Sequence, residues 1–169
     1  MRIPLPQAKA IRDAYLRVYR GIPRWWSSVE YLVRTTRTLI TLVGYKVKWV
    51  GPMNDALINQ AINISPQGAI NRLAKDGLLF AHRHPRLIPL IERHDEVFGE
   101  YPLAHMAEAM EDLRALATAM STPFEKDGRR LVVGNELRVG LGTWRDMREC
   151  PLDAAQMTLE AVLSGGGLA

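Results

Sequence analysis

One short run of alternating residues, placed between two stretches of helical periodicity, constrains the fold of this chain most. In the segment TLITLVGYKVKWVGP, Val47 and Trp49 alternate with lysines, and Gly51 with the proline after it ends the run. Apolar and polar residues that alternate are typical of a half-buried strand, and Gly44 offers a turn between two of them. The segment therefore predicts a hairpin of two short strands inside a fold that also contains helices.

Helical periodicity covers much of the rest of the first half. Residues 6–20 predict one helix, and Pro23 can occupy the first turn of a second one. The pattern is helical again from residue 54 to about residue 82, but Pro66 lies inside it. Because proline cannot donate a hydrogen bond to the preceding turn, this stretch predicts either two helices or one kinked helix.

Strand and helix patterns also alternate in the second half. The apolar patch 87–91 and the run IERHDEVFGE predict a strand, an acidic turn and a second strand. We expect a helix to follow and to carry on one face the residues Leu103, Met106, Met110, Leu113, Ala117 and Met120. After Pro123 the sequence predicts a polar loop, EKDGRR, a strand in LVVGNELRV and a tight element, GLGTW. The fold class is thus α+β, with residues 1–163 as one domain and 164–169 as a flexible tail.

Composition and cysteine content place the chain among ordinary soluble globular proteins. Hydrophobic residues make up 47% and charged residues 24% of it, and no apolar stretch is long enough to span a bilayer. Cys150 is the single cysteine, so the chain cannot form an internal disulfide. We expect a cytoplasmic protein without a membrane partner, with a phage-encoded origin in a bacterial host left open.

Positive charge is concentrated near the N-terminus. Residues 1–50 contain ten Lys and Arg residues but only Asp13 and Glu30 as acids, although the net charge of the whole chain is +4. A basic surface of this kind favours contact with a polyanion, of which nucleic acid is the commonest, and a solvated basic helix face is the alternative.

The residues His94, Asp95 and Glu96 place an imidazole and two carboxylates at the predicted acidic turn. Mg²⁺ binds through one or two protein carboxylates together with substrate phosphates, so an acidic pair on a hairpin suits phosphoryl transfer. An Asp-Glu pair in a solvated loop, or in the first turn of a helix, is the alternative interpretation.

Asn63 and Gln67 lie four residues apart, so on a continuous helix they share one face. Amide donors in that position can contact the acceptors that all base pairs present in the minor groove, and can thereby test base-pair geometry without reading sequence. Helix capping around Ser65 and Pro66 is the alternative role.

Taken in order, these elements resemble the region of A-family (polymerase I-type) DNA polymerases that runs from just after the O helix to the C-terminus. AKAIRDAYLRVYRGIPRW resembles the family's helix that ends in a Tyr-Pro-Gly-Val/Ile pattern, and TLITLVGYKVKW resembles its hairpin. AINISPQG is similar to the Asn-x-x-x-Gln-Gly signature, IERHDEVFGE to motif C, and GLGTW to the Gly-x-x-Trp that closes the last strand. The resemblance covers most of the chain and implies a palm-like antiparallel sheet with flanking helices.

The resemblance implies a role for each matching residue. Asp95 would be a ligand of the Mg²⁺ ions in a two-metal catalytic site, Glu96 its acidic neighbour, and His94 a contact near the primer terminus. Asn63 and Gln67 would contact the primer-template duplex in the minor groove.

The sequence also departs from the family. Arg93 precedes the motif C histidine, where an apolar residue is usual, and Asn59 stands where an arginine is usual, which implies altered primer contacts. Motif A, with the other metal-binding aspartate, and motif B, with the lysine and tyrosine that bind the incoming dNTP, have no counterpart. The resemblance therefore implies a fold that is incomplete without a partner chain, a larger polymerase subunit that carries motifs A and B. A cloned fragment is the other explanation.

The leading hypothesis is thus the small subunit of a split DNA-directed DNA polymerase. It would contribute the motif C acid and primer-template contacts to dNTP addition, and nucleotidyl transfer would occur only in complex with the chain that carries motifs A and B. The rival hypothesis is a non-catalytic DNA-binding or scaffolding subunit of a replication complex, and a third is an unrelated small interaction protein.

Overall fold

A computed structural model describes residues 3–150 together with Leu159 and Leu163. The predicted α+β class is confirmed, since the described part of the chain contains both α-helices and antiparallel strands. The chain forms two compact units, residues 1–68 and residues 69–169. The assignment of residues 1–163 to one domain stays a prediction, and the expected tail at 164–169 lies outside the described residues.

Two helices open the first unit, as predicted. Helix α1 spans Leu5–Val18 and helix α2 spans Gly21–Thr36. Arg37 ends α2 in the left-handed conformation, with φ of 56°, and its backbone N–H donates to the carbonyl of Val33. The side chain of Arg37 donates to the carbonyl oxygen of Gly51, so this cap is tied to the end of the following hairpin.

The predicted hairpin follows directly and is confirmed. Strand β1 (Thr38–Ile40) pairs antiparallel with strand β2 (Lys46–Lys48), and Gly44 adopts a φ of 83° in the turn between them. Leu39, Val47 and Trp49 face inward while the lysines of β2 are exposed, as the alternation predicts, although Ile40 of β1 is 65% exposed. The core of this unit consists of Val29, Val33, Leu39, Trp49, Ile58 and Ala61.

Helix α3 spans Asp55–Arg83 and is a single continuous helix. The side chain of Asn54 accepts a hydrogen bond from the backbone N–H of Leu57 and caps the start of the helix. Because the helix is continuous through Pro66, the alternative of two helices divided there is wrong. An interior proline costs about 3 kcal/mol, but buried residues on both sides of it, Ala61 and Ala69, stabilise the helix by packing.

In the second unit, strand β3 (Ile88–Arg93), strand β4 (Glu96–Glu100) and helix α4 (Ala109–Ala119) follow one another, which confirms the predicted order. The helix begins later than the apolar stripe indicates, however. A 3₁₀ turn at Leu103–His105 comes first, and hydrogen bonds between residues three apart continue to Ala109. Leu103 is consequently 66% exposed and does not belong to the buried face.

The segment EKDGRR is a hairpin, so the predicted polar loop is wrong. Strand β5 (Phe124–Lys126) pairs with strand β6 (Arg129–Leu131) through a two-residue turn. Both turn residues, Asp127 at φ 51° and Gly128 at φ 71°, are left-handed, and this is the conformation that an Asp-Gly pair adopts in the tightest hairpins.

The predicted strand in LVVGNELRV is shorter than expected. Strand β7 spans Leu137–Val139 and pairs with strand β8 (Arg148–Cys150), while a 3₁₀ turn at Trp144–Asp146 lies between them. Before β7, the side chain of Asn135 donates to the carbonyl of Ala117 and to the hydroxyl of Ser121, so this stretch is fixed by side-chain hydrogen bonds instead of strand pairing.

A second core cluster lies in this unit and contains Ala109, Met110, Cys150 and Leu159. Over the whole described part of the chain, the strands form four separate two-stranded antiparallel hairpins. No helix in the described part of the chain is long and apolar enough to cross a membrane.

Candidate active site

The run IERHDEVFGE forms a tight hairpin, which confirms the predicted strand, acidic turn and strand. We call residues 88–100 the acidic hairpin. Its register shifts between Pro89 and Ile91, and Gly99 lies opposite this irregularity. A Cβ atom at Gly99 would lie 2.8 Å from the carbonyl oxygen of Ile88, so only glycine fits there.

The three candidate catalytic residues lie together at the tip of the acidic hairpin. His94 and Asp95 form the turn, and Glu96 is the first residue of β4. All three side chains are exposed. His94 adopts a φ of 56°, a left-handed conformation that is uncommon for residues other than glycine.

The two carboxylates at this tip have different surroundings. Among the described residues, no hydrogen bond or ion pair engages the Asp95 carboxylate, whereas Glu96 stands directly opposite Arg93 in the strand register. Arg138 of β7 also interacts electrostatically with Glu96. The pKa of Arg138 is raised above its usual value, first by its hydrogen bond to Glu136 and to a smaller extent by Glu149 and Glu96. Within the described residues Asp95 is thus unpaired, whereas Glu96 stands opposite one arginine and acts electrostatically on another.

A second acidic site in this unit was not predicted from the sequence. Asp112 of α4 is only 4% exposed and accepts hydrogen bonds from Nε and Nη2 of Arg86 at 2.6 and 2.7 Å. The hydroxyl of Tyr101 donates to the same carboxylate at 2.6 Å, and Nε2 of His84 lies 3.3 Å from it. We call these four residues the Asp112 cluster.

The pKa values within the Asp112 cluster follow from this geometry. The hydrogen bonds of Arg86 lower the pKa of Asp112 to about 2, in spite of the burial that opposes ionisation. Burial and the bond to Asp112 raise the pKa of Tyr101 to about 12. Asp112 is therefore ionised and Tyr101 neutral across the physiological range, and all four side chains are held by contacts inside the protein.

Asn63 and Gln67 lie on α3 in the first unit, as predicted. Both side chains are exposed, and the continuity of the helix through Pro66 places them on one face. Ser65 is half-buried, and its hydroxyl accepts a hydrogen bond from the backbone N–H of Leu42. Because α3 continues through Ser65 and Pro66, no helix end lies there to be capped, and the capping alternative for Asn63 and Gln67 is wrong.

The basic N-terminal region exposes apolar surface as well as charge. No residue of α1 is buried, and Ile11, Tyr15 and Val18 lie on one side of it with exposures of 55%, 51% and 73%. Trp25 and Trp26 on α2 are 37% and 36% exposed, so neither is a core residue of this unit. The arrangement is that of an amphipathic helix pair with part of its apolar surface uncovered.

The donor set at the acidic hairpin fits part of a magnesium site. Carboxylate oxygens are the ligands that Mg²⁺ prefers, and Asp95 presents such a group with no competing partner among residues 3–150. Within residues 3–150, however, no group of three or more His, Cys, Asp or Glu side chains is arranged to hold a metal ion. By itself the hairpin can therefore supply one or two ligands.

Comparisons with protein-family models, with curated proteins and with solved structures found no match to this chain.

Proposed function

We propose that this chain is the motif C part of a split DNA-directed DNA polymerase, completed by a larger chain that carries motifs A and B. The acidic hairpin carries the proposal. Its two-residue turn presents Asp95, exposed and without a hydrogen bond or ion pair to any described residue, at the position where the A-family resemblance expects a metal ligand. His94 forms the turn beside it in the left-handed conformation.

The arrangement of the other candidate residues supports the same function. The amides of Asn63 and Gln67 are exposed on a continuous helix face, from which they can contact the minor groove of a primer-template duplex. The first unit also has an excess of positive charge, with ten Lys and Arg residues against three Asp and Glu residues, which suits contact with phosphates.

In this proposal Asp95 binds Mg²⁺, and Glu96 contributes the secondary acid. In a two-metal site completed by the larger chain, one ion would activate the primer 3′-hydroxyl and the other would hold the triphosphate. The chain's own residues then act by position. Asp95 supplies a fixed anionic oxygen, His94 contacts the primer end, and the α3 amides hold the duplex in register. A palm-like sheet would form when a strand of the larger chain pairs with the free edge of the acidic hairpin.

The uncovered apolar surface of α1 and α2 supports the need for a partner. Exposed aliphatic and aromatic side chains on one face of a helix are typical of a protein interface. In the proposed complex this face packs on the larger chain, and Trp25 and Trp26 are its most energetic contacts.

A second candidate function is a non-catalytic, DNA-binding scaffold. The observation that favours it is Arg93, which stands opposite Glu96 and reduces the negative charge of the hairpin tip. In that function the Asn63 and Gln67 contacts to DNA would persist, and Asp95 would have no catalytic role.

The two functions are separated by primer extension with the chain alone and with its native partner, recovered by co-purification. We expect no dNTP incorporation by the isolated chain in Mg²⁺ and extension by the complex, because the isolated chain supplies only part of the ligand set. Robust extension by the isolated chain would contradict the split arrangement. A complex that binds primer-template but never extends it would favour the scaffold.

A further inference from the structure

The indole ring of Trp144 lies against the acidic hairpin. It stacks on the ring of Phe98 with the ring centroids 4.6 Å apart and the planes inclined by only 12°. Phe98 belongs to β4, two residues after Glu96, so both side chains lie on the same face of the hairpin. The stack is peripheral, since Trp144 remains 58% exposed, and it therefore adds little to a buried core.

A rigid turn holds Trp144 in this position. The hydroxyl of Thr143 donates to Oδ2 of Asp146 at 2.6 Å, and the backbone N–H of Thr143 donates to the same oxygen at 3.2 Å. The first of these bonds lowers the pKa of Asp146, which stays ionised and keeps the cap in place. The 3₁₀ turn that carries Trp144 is thus capped at its first residue.

Two glycines make this turn as tight as it is. Gly142 adopts a φ of 106°, which side-chain-bearing residues rarely adopt. A Cβ atom at Gly140 would lie 2.9 Å from the carbonyl oxygen of Asp146. The sequence GLGTW therefore encodes a closed turn whose tryptophan side chain stacks on Phe98 of β4.

A charge on the same segment also acts weakly on the hairpin. Arg138, which lies two residues before Gly140, interacts with Glu96 at the tip. Phe98 and Glu96 both belong to β4, so the ring stack and the charge interaction act on one face of one strand. Asp95 is the residue immediately before Glu96.

We propose that Trp144 is a positioning residue that, from its rigid turn, holds β4 and thereby fixes the Asp95 carboxylate for nucleotide addition. The proposal rests on the proposed function for the role of Asp95. The contact that fixes the hairpin is a property of this chain alone and can be measured in it.

The first measurement uses the isolated full-length chain. Amide hydrogen exchange of residues 96–100 should become at least tenfold faster in Trp144→Ala and remain within threefold of wild type in Trp144→Phe, which keeps an aromatic ring. Trp25→Ala, at a tryptophan outside the second unit, is the matched control and should leave exchange of these amides unchanged. Thr143→Ala removes the cap but keeps the indole, and should give an intermediate increase even where Trp144→Ala folds poorly.

The second measurement uses the reconstituted complex. Trp144→Ala should lower kcat for dNTP addition about tenfold per assembled complex and leave KM for dNTP within twofold, and Trp144→Phe should restore kcat. A purely structural defect would reduce the amount of complex and not the turnover of the complex that remains.

The outcomes separate this inference from the proposed function. Unchanged exchange of residues 96–100 in both Trp144→Ala and Thr143→Ala would overturn the positioning role, whatever the activity. Faster exchange with an unchanged kcat would overturn the link to nucleotide addition. If the wild-type complex does not extend primers, the proposed function fails, and the exchange measurement alone still decides whether Trp144 holds the hairpin.

Discussion

The second unit contains two aspartates in opposite circumstances, at the tip of the acidic hairpin and in the Asp112 cluster. Asp112 is buried and accepts three hydrogen bonds, two from Arg86 and one from Tyr101. Asp95 is exposed at a two-residue turn, and no hydrogen bond or ion pair engages its carboxylate among the described residues. The two residues carry the same functional group.

The difference shows how the surroundings of a carboxylate decide its use. A buried carboxylate that is hydrogen-bonded inside the protein is costly to remove and has little capacity left for a ligand. An exposed carboxylate on a rigid hairpin contributes almost nothing to folding and keeps both oxygens for a ligand. Substitution at the two sites should therefore affect different measured quantities.

The largest expected effect is on catalysis at Asp95. In the reconstituted complex, Asp95→Asn should slow primer extension in Mg²⁺ by a hundredfold to a thousandfold, because it removes an anionic group that stabilises charge in the transition state. Thermal unfolding of the chain should change by less than about 0.5 kcal/mol. Asp127→Asn is the control, since Asp127 is also an exposed aspartate in a two-residue hairpin turn. Near wild-type extension by Asp95→Asn would give the lead to the scaffold function.

At Asp112, in contrast, we expect the main effect of substitution to be on the stability of the fold. Asp112→Asn should lower the free energy of unfolding by about 2–3 kcal/mol, because it leaves the Arg86 charge without its buried partner. The loss should be below that of a fully buried ion pair, since the side chain of Arg86 keeps 30% of its exposure. Urea denaturation at neutral pH measures it, with Asp95→Asn as the comparison. A change below 0.5 kcal/mol would remove the distinction between the two aspartates.

The pH dependence of stability should identify the same cluster. The folded-state pKa of Asp112 is lowered to about 2, below the value near 4 of an unfolded chain, so its contribution is complete above pH 4 and is lost as pH falls toward 2. The difference in stability between wild type and Asp112→Asn should accordingly shrink between pH 4 and pH 2. Urea midpoints at pH 6, 4 and 2.5 test this, and a constant difference would be inconsistent with a buried ionised Asp112.

The stability contribution of Tyr101 depends on pH in the opposite direction to that of Asp112, because it is lost at high pH. Its pKa is raised to about 12, so its contribution is complete below pH 10 and is lost as pH rises toward 12. Tyr101→Phe should therefore remove stability at pH 7 but bring little further loss above pH 11. Denaturation of the two proteins at pH 8 and pH 11 provides the measurement, and equal alkaline losses in both would assign the alkaline transition to another group.

The smallest effect concerns uncharged polar side chains. Asn63→Ala and Gln67→Ala should each slow extension by a few-fold, since each removes about one hydrogen bond to DNA. The loss should differ between matched and mismatched primers, because these contacts test pair geometry and not sequence. Parallel kinetics on the two primers measure the ratio. Equal losses would mean that the amides have no part in discrimination.

Local patterns in the sequence predicted most of the elements. Each of these elements is specified by residues that are close to it in sequence. Examples are the strand around Val47, helices α1 and α2, and the acidic turn at Asp95. The hairpin at Asp127 could have been predicted too, because an Asp-Gly pair is a strong signal for a two-residue turn. The many charged residues of EKDGRR favoured a loop instead.

Contacts distant in sequence could not be predicted in this way. Asp112 is joined to Arg86 across 26 residues, and no spacing rule brings a helix carboxylate to a guanidinium that far away. Trp144 and Phe98 are likewise 46 positions apart and come from different hairpin segments. The continuity of α3 through Pro66 also depends on packing around the helix, which outweighs the local preference of proline to interrupt it.

The single thiol of the chain can report local unfolding of the second core cluster. Cys150 is 2% exposed, its Sγ lies 3.7 Å from Sδ of Met110, and burial raises its pKa. A thiol reagent attacks the thiolate and needs access to it, so it can react only in molecules whose second core cluster has opened. The rate of covalent labelling at Cys150 therefore counts opening events at one defined place, without any engineered probe.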